Sequence, residues 1–111
     1  MNIEKSRIER LELNKKLVDS DQFFELFGGL DDRVYADGAI PKKYKELTGL
    51  SISILTRCDE CILYHLQGCI NSGANKIEII EAIKIGVIGG GSITYPSARF
   101  AIKAITELNI K

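Results

Sequence analysis

Apolar residues recur every three or four positions along most of this chain, with charged residues between them, which is the period of an amphipathic helix. Residues 4–18 place Ile8, Leu11 and Leu17 at roughly that spacing. Ser20 or Asp21 suits the N-cap of a second helix carrying Phe23, Phe24, Leu26, Phe27 and Leu30. Gly28-Gly29 is expected to weaken or bend it. Asp37-Gly38 reads as a turn, and Pro41 suits the first turn of a third helix through PKKYKELTGLSISILT. A fourth helix is expected from around Cys58, with the acidic Asp59 and Glu60 at its start, ending near Asn71-Ser72-Gly73. Asn75 and Glu78 have capping-box spacing for a fifth, through Ile77, Ile80, Ile83 and Val87. Gly89-Gly90-Gly91 should break the chain before a last helix with Phe100, Ile102, Ile105 and Leu108, where Pro96 falls in the first turn or at a kink. No stretch alternates long enough for a strand, so the expected fold is an all-α bundle of about six helices.

Composition narrows what such a bundle does. A chain of 111 residues suits one domain, residues 1–111, and 45% hydrophobic content supports a packed core. Fifteen basic and fifteen acidic side chains give a formal net charge of +0. That argues against an electrostatic grip on nucleic acid or on an anionic membrane. No apolar run approaches the roughly 20 residues that span a bilayer. The N-terminal MNIEKSRIERLELNKK is charged throughout and lacks a signal-peptide core. A cytoplasmic protein is expected. Residues 1–48 hold 9 of the basic and 10 of the acidic side chains. The more apolar remainder reads either as a core that partly faces other subunits or as an ordinary buried helical pair.

The candidate chemistry lies in RCDECILYH, residues 57–65, with two of the three cysteines and the only histidine. In a reducing compartment a C-x-x-C pair points to catalysis or metal binding rather than a structural staple. On a helix turning about 100° per residue, Cys58, Cys61 and His65 share a stripe about 60° wide, with His65 about one turn beyond Cys61. A base at i+4 reaches back to a thiol, so Cys61 and His65 fit a nucleophile and its base. Cys58 falls at or just before the helix start. Unpaired backbone N–H groups there stabilise a thiolate, while Asp59 and Glu60 oppose one. Two thiols so placed can close a disulfide across one turn and cycle between reduced and oxidised forms.

Cys58, Cys61, His65 and Cys69 also spell C-x2-C-x3-H-x3-C, superficially a zinc set. Four ligands must converge on one ion, yet on a continuous helix Cys58 and Cys69 lie about 16 Å apart. No metal and no other cofactor is expected. Cys69 reads as a small buried apolar side chain. The alternative for the trio is a core histidine beside inert buried thiols, in a non-catalytic oligomeric binding or scaffold protein. GVIGGG, residues 86–91, lacks the strand–turn–helix context of a phosphate loop and reads as a tight inter-helix turn. Tyr64 suits a pocket wall or core packing, and Arg99 an anion contact or a surface salt bridge.

The segment from Ala39 to Phe100 resembles the carboxymuconolactone decarboxylase superfamily, specifically its AhpD-like alkylhydroperoxidase branch. That branch carries a glutamate twelve residues before a C-x-x-C and a histidine four after the second cysteine. The pattern falls here on Glu46, Cys58, Cys61 and His65, within KELTGLSISILTRCDECILYH. GANKIEIIEAIKIGVIGGGSITYPSARFAIKAI extends the likeness, which begins at about Asp21 and is strongest over 39–100. The resemblance implies an all-helical fold assembled as a homo-oligomer, a trimer or hexamer. It implies that Cys61 attacks a peroxide, that Cys58 resolves the sulfenic acid to a disulfide, and that Glu46 and His65 relay protons. The partners so implied are a hydroperoxide or disulfide substrate and a dithiol reductant, a lipoyl-bearing protein in the best-known members. Two departures bear on activity. Glu60 stands where peroxidase members often have histidine, and the chain is shorter than full-length peroxidases. A general thiol–disulfide role therefore stands beside peroxide reduction, whereas lactone decarboxylases of the superfamily lack the redox pair.

Overall fold

The computed structural model describes residues 2–111. These residues contain six α-helices, one 3₁₀ turn and no strand. They divide into two compact units, one ending at Ala36 and the other spanning Asp37–Lys111.

In the first unit, α1 (Ile3–Ser20) starts at Asn2, whose side chain accepts the Lys5 N–H at 2.9 Å. Asp21 alone separates α1 from α2 (Gln22–Tyr35). Its backbone is extended, and its carboxylate accepts the Phe23 N–H at 2.8 Å, so Asp21 rather than Ser20 caps α2. Gly28-Gly29 does not interrupt α2. Their cost, about 1 kcal/mol each against alanine, is carried by a capped helix of 14 residues. Phe23, Leu26, Phe27, Leu30 and Val34 line one face of α2 and are each 57–63% exposed.

The second unit holds the main core. Buried positions repeat at three and four residues: Glu46, Gly49, Leu50, Ser53 and Ile54 on α3 (Lys42–Leu55), and Ile62, Leu66 and Cys69 on α4 (Asp59–Asn71). Ile79, Ala82, Ile83 and Gly86 follow on α5 (Lys76–Gly90), then Ala101, Ala104 and Ile105 on α6 (Tyr95–Glu107). Helix α3 packs against both α4 and α5, and α6 packs on both of those. A Cβ at Gly86 would lie 2.7 Å from both Ser51 O and Ile54 Cβ, so α3 and α5 touch through a bare backbone there. Pro41 stands at the N-cap of α3, one residue earlier than expected, and the Asp37 carboxylate accepts the Lys42 N–H at 2.7 Å. Asn75 and Glu78 form the expected capping box of α5. Helix α5 runs through Gly89 and Gly90 and ends at Gly91, where φ is +80°. The break falls at the last glycine of the expected cluster, and a Cβ added at Gly90 would meet Thr94 and Leu55. Pro96 lies in the first turn of α6.

Candidate active site

The turn from α3 to α4 sets the position of the first cysteine. Arg57 takes a left-handed conformation, φ +57°, just past the end of α3. Its N–H reaches Ile54 O at 3.1 Å, and the Cys58 N–H reaches Ser53 O at 3.1 Å. This is the Schellman closure, which satisfies two carbonyls that a helix end leaves open. Cys58 is thereby delivered as the N-cap of α4, with Sγ accepting the Cys61 N–H at 3.3 Å. It stands just outside the helix that carries Cys61 and His65 on successive turns.

Cys58 and Cys61 are joined as a disulfide, with Cα atoms 5.2 Å apart. Cys61 is exposed and Cys58 half-buried; only Cys69 is buried. Burial, followed by the carboxylates of Glu46 and Glu78, pushes the Cys69 thiol up to about 12. It is an apolar filler, as its residue type and position suggest.

Glu46 comes from the buried face of α3 and is 3% exposed. A solvated carboxylate in the charged run KKYKE would have been unremarkable, but this one points into the unit. Its Oε2 lies 2.9 Å from His65 Nδ1, and its Oε1 accepts from Lys42 Nζ at 3.0 Å. The His65 side chain is 12% exposed. A charged carboxylate only accepts, so with Glu46 ionised the proton of this bond is carried by Nδ1. Tyr64, next in sequence, is half exposed and stands edge-on to the imidazole at 5.2 Å. Among the described residues no group of three or more His, Cys, Asp or Glu side chains is arranged to hold a metal ion.

All four motif residues therefore lie along the α3–α4 pair: two sulfurs bonded at the start of α4, and a carboxylate–imidazole pair deeper along the same two helices. Lys42 was not singled out from the sequence. Its signal was the i, i+4 spacing to Glu46, which is common on any charged helix. Gly68, in the middle of α4, also escaped notice; a helical glycine is a hint of close approach and no more.

A sequence model of the carboxymuconolactone decarboxylase family matches residues 21–106, a span that includes the whole motif. The chain belongs to the carboxymuconolactone decarboxylase family. Two crystal structures of a Thermotoga maritima protein are similar to it. One is 42% identical with a TM-score of 0.84, covering 88% of this chain and 89% of that one. The other is 43% identical with a TM-score of 0.77, covering 80% and 92%. That protein is described as a member of the same family for which a part in antioxidative response is suggested. An apo structure of a family member from Legionella pneumophila is 28% identical with a TM-score of 0.81, covering 95% of this chain and 92% of that one. Uncharacterized protein 4 in the cox locus of Paracoccus denitrificans is 31% identical over 85 residues, 77% of each chain. The family's helical fold and the disulfide-linked pair are thus both present in this member.

Proposed function

We propose that the protein is a thiol-dependent oxidoreductase of the AhpD-like alkylhydroperoxidase type, reducing hydroperoxides or disulfides through Cys58 and Cys61. The observation that carries this reading is the buried Glu46–His65 hydrogen bond one helical turn past a C-x-x-C pair already linked as a disulfide.

In the peroxide reaction the Cys61 thiol gives its proton to His65 Nε2, and the negative Glu46 offsets the imidazolium that forms. The thiolate attacks one peroxide oxygen. An S–O bond forms, the O–O bond breaks, and the leaving alkoxide takes the proton from His65 to become an alcohol. Cys61 is now a sulfenic acid, oxidised by two electrons. Cys58 attacks that sulfur, the disulfide forms, and the hydroxyl leaves as water with the Cys58 proton. An external dithiol, such as a lipoyl-bearing protein, restores both thiols by two exchange steps and becomes a disulfide itself. Asp59 and Glu60 lie exposed beside Cys61 and oppose a thiolate there. Because Glu60 stands where peroxidase members often have histidine, disulfides are proposed beside hydroperoxides as substrates.

The working form is proposed to be a homo-oligomer, a trimer or hexamer. Single exposed apolar residues are ordinary, but a continuous stripe such as that of α2 marks an interface. Within the second unit, an apolar groove of about 590 Å³ between α3 and α5, lined by the exposed Tyr44, Ile52, Leu55 and Ile85, is a separate candidate contact surface. No helix among the described residues is long and apolar enough to cross a membrane. A dithiol-fed cycle suits the cytoplasm, the proposed location.

The test is steady-state turnover with dihydrolipoamide as reductant and an alkyl hydroperoxide or a small disulfide as oxidant. Catalytic consumption of dithiol with either oxidant is expected. Loss no faster than the uncatalysed reaction with both would contradict the proposal.

A further inference from the structure

We infer that Gly68 is a positioning residue for Glu46: the bare flank of α4 at Gly68 is the berth that holds the carboxylate against His65. The inference rests on the function proposed above for its consequence in turnover, but not for its geometry. A Cβ at Gly68 would lie 3.0 Å from Glu46 Oε1 and closer still to Cδ and Oε2. Even an alanine there would force the carboxylate to shift from its place against His65. The tight glycines of α5 differ: the missing Cβ of Gly86 faces Ile54 and Ser51, and that of Gly90 faces Thr94 and Leu55. Those positions serve packing alone, whereas Gly68 reserves its space for an ionisable group.

The remaining walls of the berth are polar. Oε2 meets His65 Nδ1 and Oε1 meets Lys42 Nζ, so both oxygens are engaged while the side chain is only 4% exposed. Gly68 and His65 are three residues apart and share a face of α4. A carboxylate displaced by a methyl group at residue 68 therefore loses the imidazole. Glycine also weakens a helix interior relative to alanine, so Gly68→Ala would favour α4 were it not for Glu46.

His65 is the only histidine in the sequence, so ¹⁵N NMR of the imidazole reads its tautomer without ambiguity. The experiment compares wild type, Glu46→Ala, Gly68→Ala and the double variant, all reduced. Wild type should show Nδ1–H. Glu46→Ala and Gly68→Ala should both lose it, with the same fall in turnover, about 10-fold to 100-fold. In the double variant, where no carboxylate remains to collide, Gly68→Ala should change neither tautomer nor rate and should not lower the melting temperature. Three results would overturn the inference: Gly68→Ala keeping Nδ1–H, its effect adding to that of Glu46→Ala, or the double variant failing to fold. If instead both single variants change tautomer but not turnover, the berth stands and the proposed relay fails.

Discussion

Glu46 Oε2 and His65 Nδ1 meet at 2.9 Å from two different helices, in side chains only 4% and 12% exposed. A carboxylate withdrawn from water is costly unless it is paired and hydrogen-bonded. Here the two partners are an imidazole and the Lys42 ammonium. Glu46→Gln keeps the shape but removes the charge that offsets an imidazolium. Turnover should fall about 100-fold, with the far-ultraviolet circular dichroism spectrum unchanged. A wild-type rate in this variant, measured by dithiol consumption, would remove Glu46 from the relay.

The two sulfurs are expected to have different roles. Cys61→Ser should abolish turnover with hydroperoxide. Cys58→Ser should stop after one oxidation and leave a sulfenic acid on Cys61 that dimedone traps, read by peptide mass. A trapped adduct on Cys58 in the Cys61→Ser variant, with none in the other, would exchange the roles.

Cys69 should be silent. Its thiol is raised from 9.0 to about 12, first by burial and then by Glu46 and Glu78. It therefore stays protonated at neutral pH. Alkylation of the reduced native protein at pH 8 should modify residues 58 and 61 and spare 69, which reacts only after denaturation. The same shift has a sign for stability. The unfolded thiol ionises near 9.0 while the folded one holds its proton to about 12, so this group's contribution is complete below pH 9 and is lost as pH rises through that window. Cys69→Ala should show less alkaline destabilisation than wild type over that range, measured by urea midpoint.

Arg57 sits at φ +57° in a position that favours glycine. The ends of α4 and α6 close in the same way with Gly73 and Asn109, residues that tolerate this conformation. Arg57→Gly should stabilise the protein by about 1 kcal/mol in denaturant unfolding. An unchanged or lower midpoint would mean that the arginine makes a compensating contact.

The stripe on α2 should be an interface. Leu26→Glu with Phe27→Glu should reduce the mass seen by light scattering from that of an oligomer to a single chain. A wild-type protein already at the single-chain mass would contradict the assembly.

Much of this was legible in the sequence because the signals were local. Helix periods, the Asn75–Glu78 capping box and the C-x-x-C with its histidine four residues on needed no knowledge of tertiary contacts, and they placed six helices and the sulfur pair, whereas Glu46 entered only through the family resemblance. What was not legible depends on neighbours in space. Nothing in KKYKE says that Glu46 faces inward while Lys43 and Lys45 do not share its position. Gly89 and Gly90 look like breakers, but contacts of Gly90 with Thr94 and Leu55 accompany a helix that runs through them. Gly68 is a weak helix former until the carboxylate across from it is known.

The most direct measurement is to reduce the protein, add one equivalent of hydroperoxide, and weigh the peptides that carry Cys58 and Cys61. The account predicts that the two residues lose two hydrogens together as a disulfide while Cys69 keeps its thiol. Both thiols surviving an excess of hydroperoxide and of small disulfide would contradict it.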